Sequence, residues 1–358
     1  MSGNLLFNRA WAFQERLSAR RAIHFCANEL VWECNSIVWC ECGDLQEVGP
    51  LESLKLGQTD LLKSRSAIHR NPDEAASHLA RTINHWNETV RQFTRRSLTY
   101  DYDRLPALSS LAEQISTHSL GIYFAGIWSY SLVEKDGLCW RRLQTHDPPP
   151  AASLSQLSPY CAPSWSWASV RGEIEPDGIF SLWPIVRNRQ VENHLFEKAE
   201  IHCIDCTPPN FDAPFSSVAT GHITIRGLWT LGNMDSWIEG EIPPKSPVEG
   251  CSVVFYPDDE LGVDSFYSNE PPICLWLKSL ISIIEATGDS ELVGSDVIID
   301  VALVLERTFT SRWTAPGTYE RRGLLMACTR SEDLENDSNA LEARKSFISG
   351  KRGIFTIV

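Results

Sequence analysis

Apolar and polar positions alternate differently in the two halves of the chain. In residues 4–20, Leu6, Arg9, Ala10, Phe13 and Leu17 share a face at three- and four-residue steps, and no proline interrupts them, so a short helix is predicted. Ala22–Phe25 and Glu29–Glu33 read as two strands, joined through Cys26-Ala27-Asn28 as a hairpin. Residues 40–70 carry little pattern and suit a surface loop with a short helix near Leu61. The clearest element spans residues 72–96. Asn71 can cap it, Pro72 suits its first position, and Asp73 and Glu74 suit the positive end of its dipole. Ala76, Leu79, Ile83, Trp86, Val90 and Phe93 then form one apolar stripe. Further helices are predicted over Leu105–His118 and near Tyr123–Leu132.

The pattern changes at residues 144–164, where Asp147-Pro148-Pro149-Pro150 and a Ser/Ala/Pro-rich stretch read as a connector. Short strand-like runs follow at Ala199–Cys203, His222–Leu228, Ser252–Tyr256, Ile273–Leu277, Val297–Leu305 and Arg322–Ala327. Residues 331–347 suit a polar helix, and Gly353–Val358 a closing strand. The reading is an α+β protein. A mainly helical part with a small β-hairpin, residues 1–150, precedes a β-rich antiparallel sandwich or barrel-like part, residues 151–358.

Composition narrows the chemistry. The 358 residues are 43% hydrophobic and 22% charged, as a globular chain should be. Thirteen tryptophans promise a core of aromatic anchors, each burying roughly 150–250 Å². A net charge of −14, with no Lys/Arg run longer than an isolated pair, opposes nucleic-acid binding. No apolar run reaches the ~18–20 residues that span a bilayer, and the first residues hold no secretory signal. Eleven irregularly spaced cysteines fit reduced thiols, so a cytoplasmic location is expected.

Several ordered segments carry a resemblance. Residues 9–17, Arg-Ala-Trp-Ala-Phe-Gln-Glu-Arg-Leu, precede Ile23-His24-Phe25 and Trp32-Glu33-Cys34. Asp103-Arg104-Leu105-Pro106-Ala107-Leu108 comes next, then Tyr123, Ala125-Gly126 and Trp128. Pro163-Ser164-Trp165-Ser166-Trp167-Ala168-Ser169 and Tyr319 with Arg321-Arg322-Gly323 complete the series. In this order they resemble the fungal heterokaryon-incompatibility (HET) domain, with Arg9, Gln14, Trp32, Trp165 and Trp167 as structural motif positions. The family's opening "Y-ALSY-WG" and "ID-LCI-QDD" segments do not occur, so the likeness covers the C-terminal two-thirds of that domain. It implies a regulatory or interaction protein of self/non-self recognition and incompatibility cell death, without catalysis of its own. It also implies protein partners or self-association. An uncovered first helix would expose apolar surface near Leu5, Leu6, Phe7 and Phe13.

Two other functions stand beside this one. HET domains have been compared with Toll/interleukin-receptor-type domains, in which a Trp-Cys-x-x-Glu helix cleaves NAD. Trp11 and Glu15 have that spacing, with Ala12 in place of the cysteine. Glu15 would then stabilise a cationic transition state at the nicotinamide ribose, with NAD as cofactor only if the upstream core is supplied. The plainer role for Glu15 is a structural partner of Arg9, Arg16 or Arg20. The third function is a non-catalytic structural adaptor. His24 reads as a satisfied strand histidine. Cys34, Cys40, Cys42 and the His202-Cys203-x-x-Cys206 group lack four ligands in paired spacing, so no metal is expected. Trp165 and Trp167 in a strand would share one face and clamp the helical part to the β-rich part.

Overall fold

The computed structural model describes residues 5–43, 55, 57, 72–133, 136–143, 160–177, 199–239, 251–259, 266, 270–283, 296–308, 317–330, 344 and 350–358. The architecture is α+β, as the pattern predicts. Residues 144–159 of the expected connector, the helix near Leu61 and all but Arg344 of the expected 331–347 helix lie outside the described residues.

A 3₁₀ turn, Leu5–Asn8, leads into α1, Ala10–Ser18. Ala10, Phe13 and Leu17 bury one stripe of α1, joined by Arg16. The expectation for Phe13 is therefore corrected. Its ring packs on Phe93 at 6.0 Å under the Arg96 guanidinium, while Leu6 remains exposed. Strands β1 (Arg21–Phe25), β2 (Leu30–Cys34) and β3 (Val38–Cys40) form an antiparallel sheet against α1. Helix α2, Pro72–Thr94, buries Trp86, Val90 and Phe93, with Leu79 and Ile83 partly covered.

Pro106 and the flanking residues wind as 3₁₀ turns, so the helix expected over 105–118 is shorter: α3, Ser109–Ile115. The helix expected near 123–132 begins instead as a two-residue hairpin, β4 (Tyr123–Phe124) and β5 (Ile127–Trp128), followed by α4 (Ser129–Val133). Its turn needs positive φ at both central residues, and Ala125 (47°) and Gly126 (94°) supply it. Two further short strands, β6 (Arg141–Arg142) and β7 (Ile174–Glu175), pair with each other.

The β-rich part is one eight-stranded sheet of β8 (Glu200–Thr207), β9 (Thr220–Leu231), β10 (Ile238–Glu239), β11 (Cys251–Pro257), β12 (Ile273–Ile283), β13 (Asp296–Arg307), β14 (Thr318–Arg330) and β15 (Lys351–Ile357). β14, β13, β12, β9 and β15 follow one another, and β15 also pairs with β14. The sheet thus closes on itself, which gives the barrel-like alternative. Ile299, Val301, Leu303 and Leu305 of β13 join the main core. Ala302 and Val304, on its other face, build a second cluster with Phe255 and Trp276. That main core runs without a break from α1 and α2 through Trp140 and Trp165 into the barrel. The two parts of the chain share it. Among the described residues, no helix is long and apolar enough to cross a membrane.

Candidate functional site

The motif segments meet in one seam. The backbone of Arg9 bridges Ser97, and the Trp11 indole donates to Asp103 Oδ2 at 3.0 Å. The carbonyl of Gly126 accepts both the Trp86 and the Trp167 indole N–H, each at 3.0 Å. A β-carbon at Gly126 would lie 2.6 Å from Trp167 Nε1, so the position admits only glycine on both steric and φ grounds. Ser166 Oγ donates to the Ala125 carbonyl at 2.5 Å and accepts from the Ala168 N–H at 3.0 Å. That local capping winds Trp167–Ser169 into a 3₁₀ turn and corrects the strand expected there. Trp165, Ser166 and Trp167 are all buried, so the two indoles do not stand on one face with the serine on the other. They still join the parts. Trp167 meets Phe93 of α2 edge-on, and the Trp165 carbonyl accepts the Trp140 indole N–H at 3.0 Å.

Arg321 completes the seam from β14. Its guanidinium pairs with Asp258 (Nε–Oδ2 2.9 Å) and donates to the Leu138 and Trp140 carbonyls at 2.8 and 2.6 Å. It also lies 3.5 Å over the Trp140 ring. Burial pushes the Asp258 carboxyl up to about 6, against the pull of Arg321.

Beside the seam, a cavity of about 720 Å³ opens along α2. Leu79, Ile83, Trp86, Trp128, Trp140 and Trp167 give it apolar walls. Glu88, Arg91 and Asp177 form one charged end. Arg91 donates to Glu175 Oε1 at 2.6 Å and Asp177 Oδ1 at 2.5 Å and also pairs with Glu88. Burial pushes the Glu175 carboxyl up, Arg91 pulls it down, and neighbouring Asp177 adds to the rise. One guanidinium among three carboxylates leaves little to attract a phosphate.

Glu15 and its companion Trp11 are exposed on α1, and neither lines this cavity. Gln14 is half-buried, and its Oε1 has no hydrogen-bond partner among the described residues. Trp32 is half-buried on β2, opposite Ile23 and Trp39.

The small sheet is inverted relative to the usual arrangement. Its inner face buries Glu33, which is 0% exposed. Glu33 Oε2 takes Arg16 Nε at 2.7 Å and meets His24 Nε2 at 2.7 Å, while Lys55 Nζ lies 3.7 Å from Oε1. Burial opposes the charge of Glu33. The hydrogen bonds from His24 and Arg16, with the charges of Arg16 and Lys55, nevertheless hold its carboxyl below the usual range. His24 is thus a satisfied strand histidine with a named partner. The outer face instead carries Phe25 (78% exposed), Ile23 (54%), Trp39 (53%) and Leu30 (40%). Sequence reading missed this reversal. Its signal was the charge of Glu33 in register with Ala22 and Val38, in phase with the buried Arg16.

Register places the cysteines considered as metal ligands. Cys203 and Cys206 lie three apart on β8, which sends their side chains to opposite faces. Burial pushes the Cys206 thiol up to about 12, and Asp205 adds to it. Cys34, at the end of β2, stays apart from Cys40, at the end of β3, and Cys42, in the turn beyond it. Cys40 and Cys42 instead converge with Glu29, a residue the spacing did not single out. Compared with models of protein families, with curated proteins and with solved structures, the chain matches none.

Proposed function

We propose that the chain is a regulatory interaction protein of the HET type, acting in the cytoplasm in fungal self/non-self recognition and incompatibility cell death. It works through protein contacts and has no catalysis of its own. The observation that carries this reading is the inverted sheet. Phe25, Ile23, Leu30 and Trp39 lie side by side in open solvent, while the charges that would normally face water are inside. A bare face of this kind marks a surface that another protein covers. The resemblance supplies the biological setting. Its motif residues support a structural role, because Trp11, Trp167, Ser166 and Arg321 are spent on backbone and side-chain contacts within the seam. Glu15 is exposed on α1 and does not line the cavity along α2.

Expression in a filamentous fungus, scored for growth arrest, tests the proposal. The wild-type chain and Glu15→Gln should both arrest growth, whereas Phe25→Glu with Trp39→Glu should not. Arrest that depends on Glu15 and coincides with NAD loss would overturn the non-catalytic reading. Arrest by none of the three chains would overturn the HET assignment.

A further inference from the structure

At the open end of the small sheet, strand register brings three ligand-bearing residues together. Val31 pairs with Cys40. Glu29 immediately precedes β2 and Cys42 lies in the turn that follows β3, so this pairing brings Glu29 and Cys42 beside Cys40 at the same end of the sheet. Their ligand atoms all lie within 4.8 Å of one another, and the two sulfurs are 3.1 Å apart. The backbone behind each is fixed. Cys26 N–H donates to the Glu29 carbonyl at 3.0 Å, closing the turn that presents the carboxylate. Glu41 N–H donates to the Leu30 carbonyl at 2.9 Å, and Gly43 N–H to the Cys40 carbonyl at 3.1 Å. Gly43, at φ 77°, completes that turn.

We propose that Glu29, Cys40 and Cys42 form a binding site for one divalent ion of the zinc class. Two thiolates and one carboxylate suit a borderline-soft, tetrahedral ion, whereas calcium and magnesium select all-oxygen sets. Zinc–sulfur bonds of ~2.3 Å place two tetrahedral sulfurs about 3.8 Å apart, so the ion has to part the sulfurs by less than ~1 Å. Cys42 is exposed and can make that movement. Its exposure also leaves the fourth position to water. Binding releases the two thiol protons to solvent as the thiolates form. The ion would tie the start of β2 to the end of β3.

Cobalt(II) titration of the full chain, kept reduced and free of chelator, tests the site. One equivalent should bind with thiolate-to-cobalt charge-transfer absorption, and zinc should displace it. Cys42→Ser should halve that absorption and weaken binding at least about tenfold. Glu29→Gln should weaken binding and keep the absorption, while the remote Cys203→Ser should leave both unchanged. Circular dichroism checks that each variant is folded, and the exposure of Cys42 makes its variant the decisive one. Absence of the band, or its persistence when Cys40 and Cys42 are both serine, would overturn the proposal. So would a Cys40–Cys42 disulfide, seen by intact mass, that forms equally fast with and without zinc.

Discussion

The barrel sheet and the small sheet solve the same problem in opposite ways. In β13 of the barrel, both faces are covered, so residues from Ile299 to Leu305 read as one apolar run. Its single charge there, Asp300, is held by Arg344 (2.6 and 2.8 Å) and by the Ser279 hydroxyl. In β1–β3 the more deeply covered face is the one with Glu33 and His24, which meets Arg16 of α1. The barrel therefore draws its stability from apolar burial with isolated charges neutralised one by one. The small sheet buries a charge network beside Val31 and Cys40 and leaves Phe25, Ile23, Trp39 and Leu30 of its other face exposed. Apolar content alone does not say which face is inside.

The sharpest way to break that contrast is Arg321→Ala. It strands Asp258 in the seam without its ion-pair partner, and should cost about 4 kcal/mol in urea unfolding. Combining Arg321→Met with Asp258→Leu should recover most of that loss, since neither charge is then buried alone. Glu33→Ala asks the same of the small sheet. It leaves Arg16 and Lys55 buried against each other, and about 3 kcal/mol should be lost.

His85 sharpens the picture through pH. Burial holds its imidazole down at about 4, against the pull of Glu88. The unfolded chain takes up this proton near pH 6.5 while the folded chain resists until about 4. Stability is thus complete above pH 6.5 and falls as pH drops through that window. Allowing for the partial exposure of the ring, His85 should account for about 2 kcal/mol of that fall. Melting temperatures of wild type and His85→Gln across pH 4–7 measure it: the wild-type curve should fall more steeply towards the acid end. The smallest effect is expected at the bare face. Phe25→Asp should change unfolding by no more than about 0.5 kcal/mol, because the ring has little to lose. A larger loss would mean that the face is covered by the chain itself.

Much of this architecture was legible. The strands from 252 to 358 stood out because apolar runs were bounded by Gly, Pro, Asn and Asp, and the 72–94 helix because its cap, proline and stripe agreed. Even there, the stripe divides its work. Trp86, Val90 and Phe93 pack in the core, whereas exposed Ala76 and half-buried Leu79 line the cavity. Other features were not local. Trp165-Ser166-Trp167 has the alternation of a strand, but a serine hydroxyl bonding two residues on overrides it. The 3₁₀ winding at Pro106–Leu108 is likewise absent from the periodicity of that segment. Glu29 and Cys42 lie thirteen residues apart and meet only because Val31 pairs with Cys40. No spacing rule reaches across a register. The direction in which the small sheet turns its apolar face depends on what packs against it, which alternation cannot encode.

The ring of strands has a consequence for how the molecule comes to be. β15 joins β9 to β14, yet it is synthesised after both, with more than a hundred residues between Leu231 and Lys351. Until it emerges from the ribosome, β9 and β14 present unsatisfied edges to a crowded cell. Closure must then wait on a contact of very long loop length, which makes it slow. The nascent chain should be most prone to aggregate, and most in need of a chaperone, in the interval just before that strand arrives.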